Sequence, residues 1–115
     1  MSMACVAIRA MGRRALAAQA DVSDAEVADA VVAHAVEQLG KVDILVNNAG
    51  ISGSAEQDLL NTPAWHRIME INATGVFLGM KAALPELIKS GKGSIVNFSS
   101  ISGIVGQDGI HMAYN

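Results

Sequence analysis

An α/β fold built on a parallel sheet is what this 115-residue sequence predicts. Short apolar runs suited to strands alternate with longer segments of helical periodicity, the order that βαβ construction produces. The run Val42-Asp43-Ile44-Leu45-Val46 stops at Asn47-Asn48-Ala49-Gly50. A buried strand thus ends in residues that let a ligand come close to the backbone. Hydrophobic residues make up 51% of the chain and charged ones 17%, above and below ordinary usage, so a large share of side chains is expected inside.

Each element follows from local signals. Residues 2–11 read as the tail of a helix stopped by Gly12, and residues 15–20 as a short strand. Ser23 opens the next helix, with Glu26 three residues on as the reciprocal capping partner. Val27, Val31, Ala35 and Leu39 follow at helical spacing until Gly40. Residues 42–46 form the central strand. Thr62 and Pro63 then start a long helix, since proline in the first turn loses no hydrogen bond. Its apolar pattern runs through Trp65, Ile68, Val76, Phe77, Leu84 and Ile88 to Lys89. Asn72 and Gly75 interrupt it with poor helix formers, and Pro85 costs a hydrogen bond or bends the axis. Residues 94–98 are the third strand, followed by Ser99, Ser100 and a glycine-containing loop to Asn115. No repeat, biased tract or linker divides the chain, so residues 1–115 are read as one domain.

The totals narrow the class of function. A formal charge of −3 without a basic cluster gives no support for nucleic acid or an anionic membrane as partner. The single Cys5 excludes an internal disulfide and a multi-cysteine zinc site, and suits a reducing cytoplasm. No metal site is expected. No apolar run approaches ~18 residues, so no membrane span is expected. The first ten residues contain Arg9 and lack a long apolar core, a poor signal peptide.

Asn47-Asn48-Ala49-Gly50 after a strand resembles a hallmark of the short-chain dehydrogenase/reductase family. Asp21-Val22 resembles that family's acidic-plus-aliphatic pair beside the adenine ring. Asn72, in Ile71-Asn72-Ala73-Thr74-Gly75, resembles the helix asparagine of the catalytic tetrad. Ser100, closing Ile95-Val96-Asn97-Phe98-Ser99-Ser100, resembles the catalytic serine, and Tyr114 the tyrosine of the Tyr-x-x-x-Lys motif. The resemblance implies a partial Rossmann-like, doubly wound parallel sheet of about three strands with flanking helices. It implies an oxidoreductase moving hydride between NAD or NADP and a small alcohol or carbonyl substrate. Asn72, Ser100 and Tyr114 would be catalytic; Asp21, Val22, Asn47, Ala49 and Gly50 would line the cofactor. Among subgroups, 3-oxoacyl carrier-protein reductases and small cyclic alcohol or sugar dehydrogenases are most alike.

Those residue types suit the chemistry. Carbonyl reduction needs a hydride donor and a proton donor at the carbonyl oxygen. Tyrosine supplies the proton sluggishly at an unperturbed pKa of ~10. In the family a lysine four residues on lowers that value, the serine holds the substrate oxygen, and the asparagine is implied to hold a water. Here that lysine position falls beyond Asn115, and the spacing from Ser100 to Tyr114 is slightly long for the family. The Thr-Gly-x-x-x-Gly-x-Gly turn and its two strands are also not in the sequence. In the implied strand order they would separate residues 15–20 from residues 42–46, so both are expected to present unpaired edges. The isolated chain is then expected to be poorly stable, rearranged or prone to associate, and, as a truncated form of such an enzyme, impaired or inactive by itself. The alternative function is a non-catalytic truncated product that associates through the long helix 62–89, the element such enzymes use to pair into homo-oligomers.

Plainer roles exist for single residues. Ser100 suits a cap or turn, Asn72 a bend, and Asp21 a turn acceptor. His34 and His66 are expected on solvated helix faces, and His111 in an exposed loop. Met3, Met11, Met69, Met80 and Met112 read as gap-fillers, and Arg13-Arg14 as a solvated turn.

Overall fold

Local chemistry sets where each helix begins and ends in the computed structural model, which describes residues 2–115. Helix α1 spans Met3–Ala10 and helix α2 Ala25–Leu39. Their terminal glycines, Gly12 (φ 74°) and Gly40 (φ 97°), take the left-handed conformation that the sequence implies. The start of α2 differs from expectation. Asp24, not Ser23, is the cap, its carboxylate accepting the Glu26 and Val27 N–H groups at 2.9 and 3.1 Å. A carboxylate outcompetes a hydroxyl at the positive end of a helix. Ser23 donates instead to Asp21. Asn61 likewise caps α3 (Thr62–Met69), accepting from Ala64 N–H at 2.8 Å, with Pro63 in the first turn.

The expected single helix over residues 62–89 is three pieces. Helix α3 passes into a π-turn, Glu70–Thr74, and then into α4, Gly75–Ser90, which continues through Pro85. The poor helix formers sit where this happens, and packing explains one of them. A β-carbon on Gly75 would lie 3.0 Å from Val22 Cγ2, and one on Gly79 would lie 2.5 Å from Asn47 Oδ1. Two glycines four residues apart therefore open a slot along α4 that receives Val22 and Asn47.

Strands β1 (Ile44–Asn47) and β2 (Ser94–Asn97) pair in parallel, with Ile44 opposite Ser94 and Asn47 opposite Asn97. Helix α4 lies against both strands and α2 packs on α4. Leu45 and Asn47 are half-buried, whereas Ile44 and Val46 alternate away and stay exposed. Residues 15–20 form no strand, correcting the expectation of three: among the described residues the sheet has two. A strand requires a hydrogen-bonded neighbour, and this segment has none in the sheet. Its Ala15 carbonyl instead accepts from Arg9 Nη2 at 2.7 Å.

The expected large interior is also corrected. Among the described residues the buried hydrophobic side chains are Cys5, Ile68, Ala83 and Leu87. Ile44, Val46 and Val96 remain exposed because no element covers their side of the sheet. Met3, Met11, Met69 and Met112 are exposed rather than filling gaps. His34 and His66 are exposed, as expected. Arg14 does more than decorate a turn, donating to the Gln38 and Leu39 carbonyls at the end of α2.

Candidate active site

Parallel pairing carries the ends of β1 and β2 to one side of the sheet, where their exit loops frame a cleft of ≈ 580 Å³. Ala49, Gly50, Asn72, Ser100 and Tyr114 all line it. A second cleft of ≈ 520 Å³ adjoins it and shares Ala49, Gly50 and Ile51; its far wall includes Asp21, Val22 and Arg67. Seven of the eight sequence-derived candidates therefore border this pair of clefts. Asn47 stands apart. It lines a small hollow with Gly75 and Val76, and its Nδ2 donates to Asn97 Oδ1 at 2.9 Å. Asn48, Phe98 and Ser99 line the larger cleft without having been singled out from sequence. For Asn48 the signal was strand alternation, which sends adjacent asparagines to opposite sides.

Asn72 sits within the π-turn, and both polar atoms of its side chain are engaged by Ile51. Its Oδ1 accepts from Ile51 N–H at 2.9 Å and its Nδ2 donates to the Ile51 carbonyl at 2.8 Å. The amide thereby pins the turn after β1 to the helix layer, and sets the height of Ala49 and Gly50 in both clefts.

Ser100 is extended (φ −123°, ψ 153°) and caps the 3₁₀ turn Ile101–Gly103. Ser102 N–H donates to its Oγ at 3.2 Å, and the Ser100 hydroxyl donates to Ser102 Oγ at 3.2 Å. Ser102 is 1% exposed and donates onward to Gln107 Oε1. Gln107 N–H in turn donates to Asn115 Oδ1 at 2.9 Å, while Asn115 Nδ2 donates back to the Gln107 carbonyl. A polar chain thus runs from Ser100 to the neighbour of Tyr114. Its members Ser102 and Gln107 were not found from sequence; the spacing Ser100-x-Ser102 over a turn was the available sign. Tyr114 is half-buried in the 3₁₀ turn Met112–Tyr114.

At the far wall, Asp21 accepts from the Ser23 hydroxyl at 2.6 Å and from Ser23 N–H at 3.0 Å. Arg67 reaches Asp21 at 3.3 Å and the Ser23 hydroxyl at 3.1 Å. The Ser23 hydroxyl foremost, then its N–H, hold the Asp21 carboxyl below its ordinary value, and Arg67 adds to this. A depressed carboxyl stabilises the fold above its unfolded pKa, and that contribution fades as pH falls through the lowered folded value. Ser23→Ala is expected to raise the Asp21 midpoint toward the ordinary range. A carbon-detected NMR titration checks this, and an unchanged midpoint would refute the assignment of cause.

Among the described residues, no group of three or more His, Cys, Asp or Glu side chains could hold a metal ion. No described helix is long and apolar enough to cross a membrane.

A family model for short chain dehydrogenases matches residues 2–114. The trans-4-hydroxycyclohexanecarboxylate dehydrogenase of Sinomonas cyclohexanicum is 51% identical over 71 residues, covering 62% of this chain and 27% of that protein. The 2-(R)-hydroxypropyl-CoM dehydrogenase of Xanthobacter autotrophicus is 42% identical over 73 residues, covering 61% and 29%. A solved structure described as a short-chain dehydrogenase/reductase from Burkholderia xenovorans superposes with a TM-score of 0.81 at 36% identity. That superposition covers 92% of this chain and 42% of that one. The chain spans under a third of the length of these two curated relatives. With the matched profile, the parallel strands and the fold likeness in agreement, the chain belongs to the short-chain dehydrogenase/reductase family.

Proposed function

We propose that this chain is the central part of an oxidoreductase that moves hydride between NAD or NADP and a small secondary alcohol or its ketone. One observation carries the reading: Ser100 and Tyr114 border a single cleft, beside a turn stapled by Asn72. The adjoining cleft offers the exposed Asp21 carboxylate as an acceptor and the Ala49–Gly50 backbone as a close wall. These residues suit the two ends of a dinucleotide. They do not suit its middle, since Arg67 is the one cation lining either cleft and is already paired with Asp21. Neutralising a diphosphate is left to groups other than these.

When bound, the nicotinamide supplies or accepts the hydride. The remaining work falls to side chains described here. Ser102 N–H fixes the Ser100 oxygen in place, so the Ser100 hydrogen can rotate from Ser102 to a substrate oxygen without moving the side chain. The Tyr114 hydroxyl then donates or takes the proton at that oxygen. The two named relatives act on a 4-hydroxycyclohexane ring and a 2-hydroxypropyl group. Both are secondary alcohols, which supports that substrate class. Cytoplasmic residence suits a soluble cofactor. Exposed Phe77, Leu84 and Ile88 on α4 support pairing of copies through residues 62–89.

Trp65 is the only tryptophan, so energy transfer from it to a reduced cofactor reports binding directly. Saturable transfer to NADH or NADPH, displaced by the oxidised form, is the expected result. No transfer with either cofactor at millimolar concentration would overturn the reading. If oligomers nevertheless formed, a non-catalytic product associating through its helix would be the better description.

A further inference from the structure

We infer that His111 is the positioning residue that sets the Tyr114 hydroxyl in the cleft, an inference that rests on the acid/base role proposed for Tyr114. Sequence reasoning places His111 in an exposed loop; the structure places it among the most buried side chains, 1% exposed. Among the described residues the polar side chains buried to this degree are Ser102 and His111, and both lie on the segment joining Ser100 to Tyr114. Burial of an imidazole is favourable only when its nitrogens are partnered. Both are. Ala113 N–H donates to Nδ1 at 3.1 Å, and Nε2 lies 3.0 Å from the Asn61 carbonyl, which can only accept. The ring is therefore the neutral tautomer with its hydrogen on Nε2.

Each bond has a separate task. The Nδ1 bond caps the 3₁₀ turn Met112–Tyr114, and the His111 carbonyl accepts from Tyr114 N–H at 2.9 Å. His111 thus holds two successive amides of the turn that carries the phenol, Ala113 N–H through its ring and Tyr114 N–H through its main-chain carbonyl. The Nε2 bond ties this turn to the head of α3, where Asn61 is itself the helix cap. Gly53 makes the seat possible: at φ +65° its β-carbon would lie 2.7 Å from His111 Cβ and 2.8 Å from Ile68 Cδ1. Through one ring, the loop after β1, the head of α3 and the tyrosine turn are held in fixed relation. The polar chain from Ser102 does the same for Ser100 at the other end of the segment.

Two conservative variants divide these tasks. His111→Asn keeps an oxygen near the Nδ1 position to accept from Ala113, but its amide falls short of Asn61. His111→Gln keeps a donor that reaches Asn61 and loses the short-range acceptor. Tyr114 is the only tyrosine, so a ring-labelled chain gives one set of tyrosine NMR signals. His111→Ala and His111→Gln are expected to move those signals toward free-tyrosine positions, and His111→Asn to keep them near native. Where oxidation of cyclohexanol by NAD⁺ or NADP⁺ is measurable, kcat should fall by about 10²-fold in the Ala and Gln variants. The cofactor KM should stay unchanged, and Asn should restore the rate. Native tyrosine signals in His111→Ala, or native kcat, would overturn the inference. If the Ala variant does not fold, equal behaviour of Asn and Gln would overturn it instead. Tyrosine signals that shift in the expected order while neither cofactor binds would support the positioning role and sink the catalytic reading, so the two fail separately.

Discussion

Replacing Tyr114 with phenylalanine is expected to lower the proposed alcohol oxidation by roughly 10²–10⁴-fold, the usual contribution of a positioned general acid/base. The phenyl ring keeps the turn Met112–Tyr114 intact, because the bonds that hold it run through the main chain and His111. Cofactor affinity should therefore be preserved, and the loss should appear in kcat and kcat/KM together, the sign of an interaction made only in the transition state. Steady-state kinetics alongside Trp65 energy transfer separate the two quantities. A variant that keeps more than a tenth of the native rate would remove Tyr114 from the proposed role.

Ile68→Ala is expected to give the largest loss of stability of any single truncation in the chain. Ile68 is 1% exposed, the bulkiest of the fully buried side chains, and touches the space that Gly53 leaves open. Truncating a buried isoleucine costs about 2–5 kcal/mol from lost transfer energy and the cavity left behind. With so few other buried apolar side chains, little surrounding mass can relax into the space. Urea unfolding followed by Trp65 fluorescence, three residues away on α3, measures the change. A shift under about 1 kcal/mol would mean that this cluster is not the structural centre. Leu87, 4% exposed on α4, should be the next most costly site.

What the sequence disclosed was mostly local. Gly12 and Gly40 mark helix ends because a left-handed residue is a property of one position. Asn72 and Gly75 announce the break in the long helix because poor helix propensity is likewise a property of one position, although not that the break is a π-turn. The cap of α2 was misplaced by one residue, since Ser23 and Asp24 both suit the role, and it falls to Asp24 once the Ser23 hydroxyl is engaged by Asp21. Residues 15–20 failed as a strand because pairing depends on a neighbour that no local pattern contains. His111 was misjudged because burial is a tertiary property: nothing nearby in sequence reveals Gly53, Ile68 and Asn61 converging around it. The cleft was more legible than the core. Polar residues at strand ends gather at one rim through βαβ topology alone, whereas interior packing needs partners from across the fold.

The bond between Asn47 and Asn97 has a consequence for fidelity of assembly. A parallel pair of four-residue strands has little in its backbone to prevent sliding by one position. Sliding would part the two amides and leave a polar group stranded beneath α4. It would also carry Ser100 out of its place in the cleft. Misaligned chains are thereby penalised at the same point where correct alignment is read out, so the matched amides act as a molecular vernier.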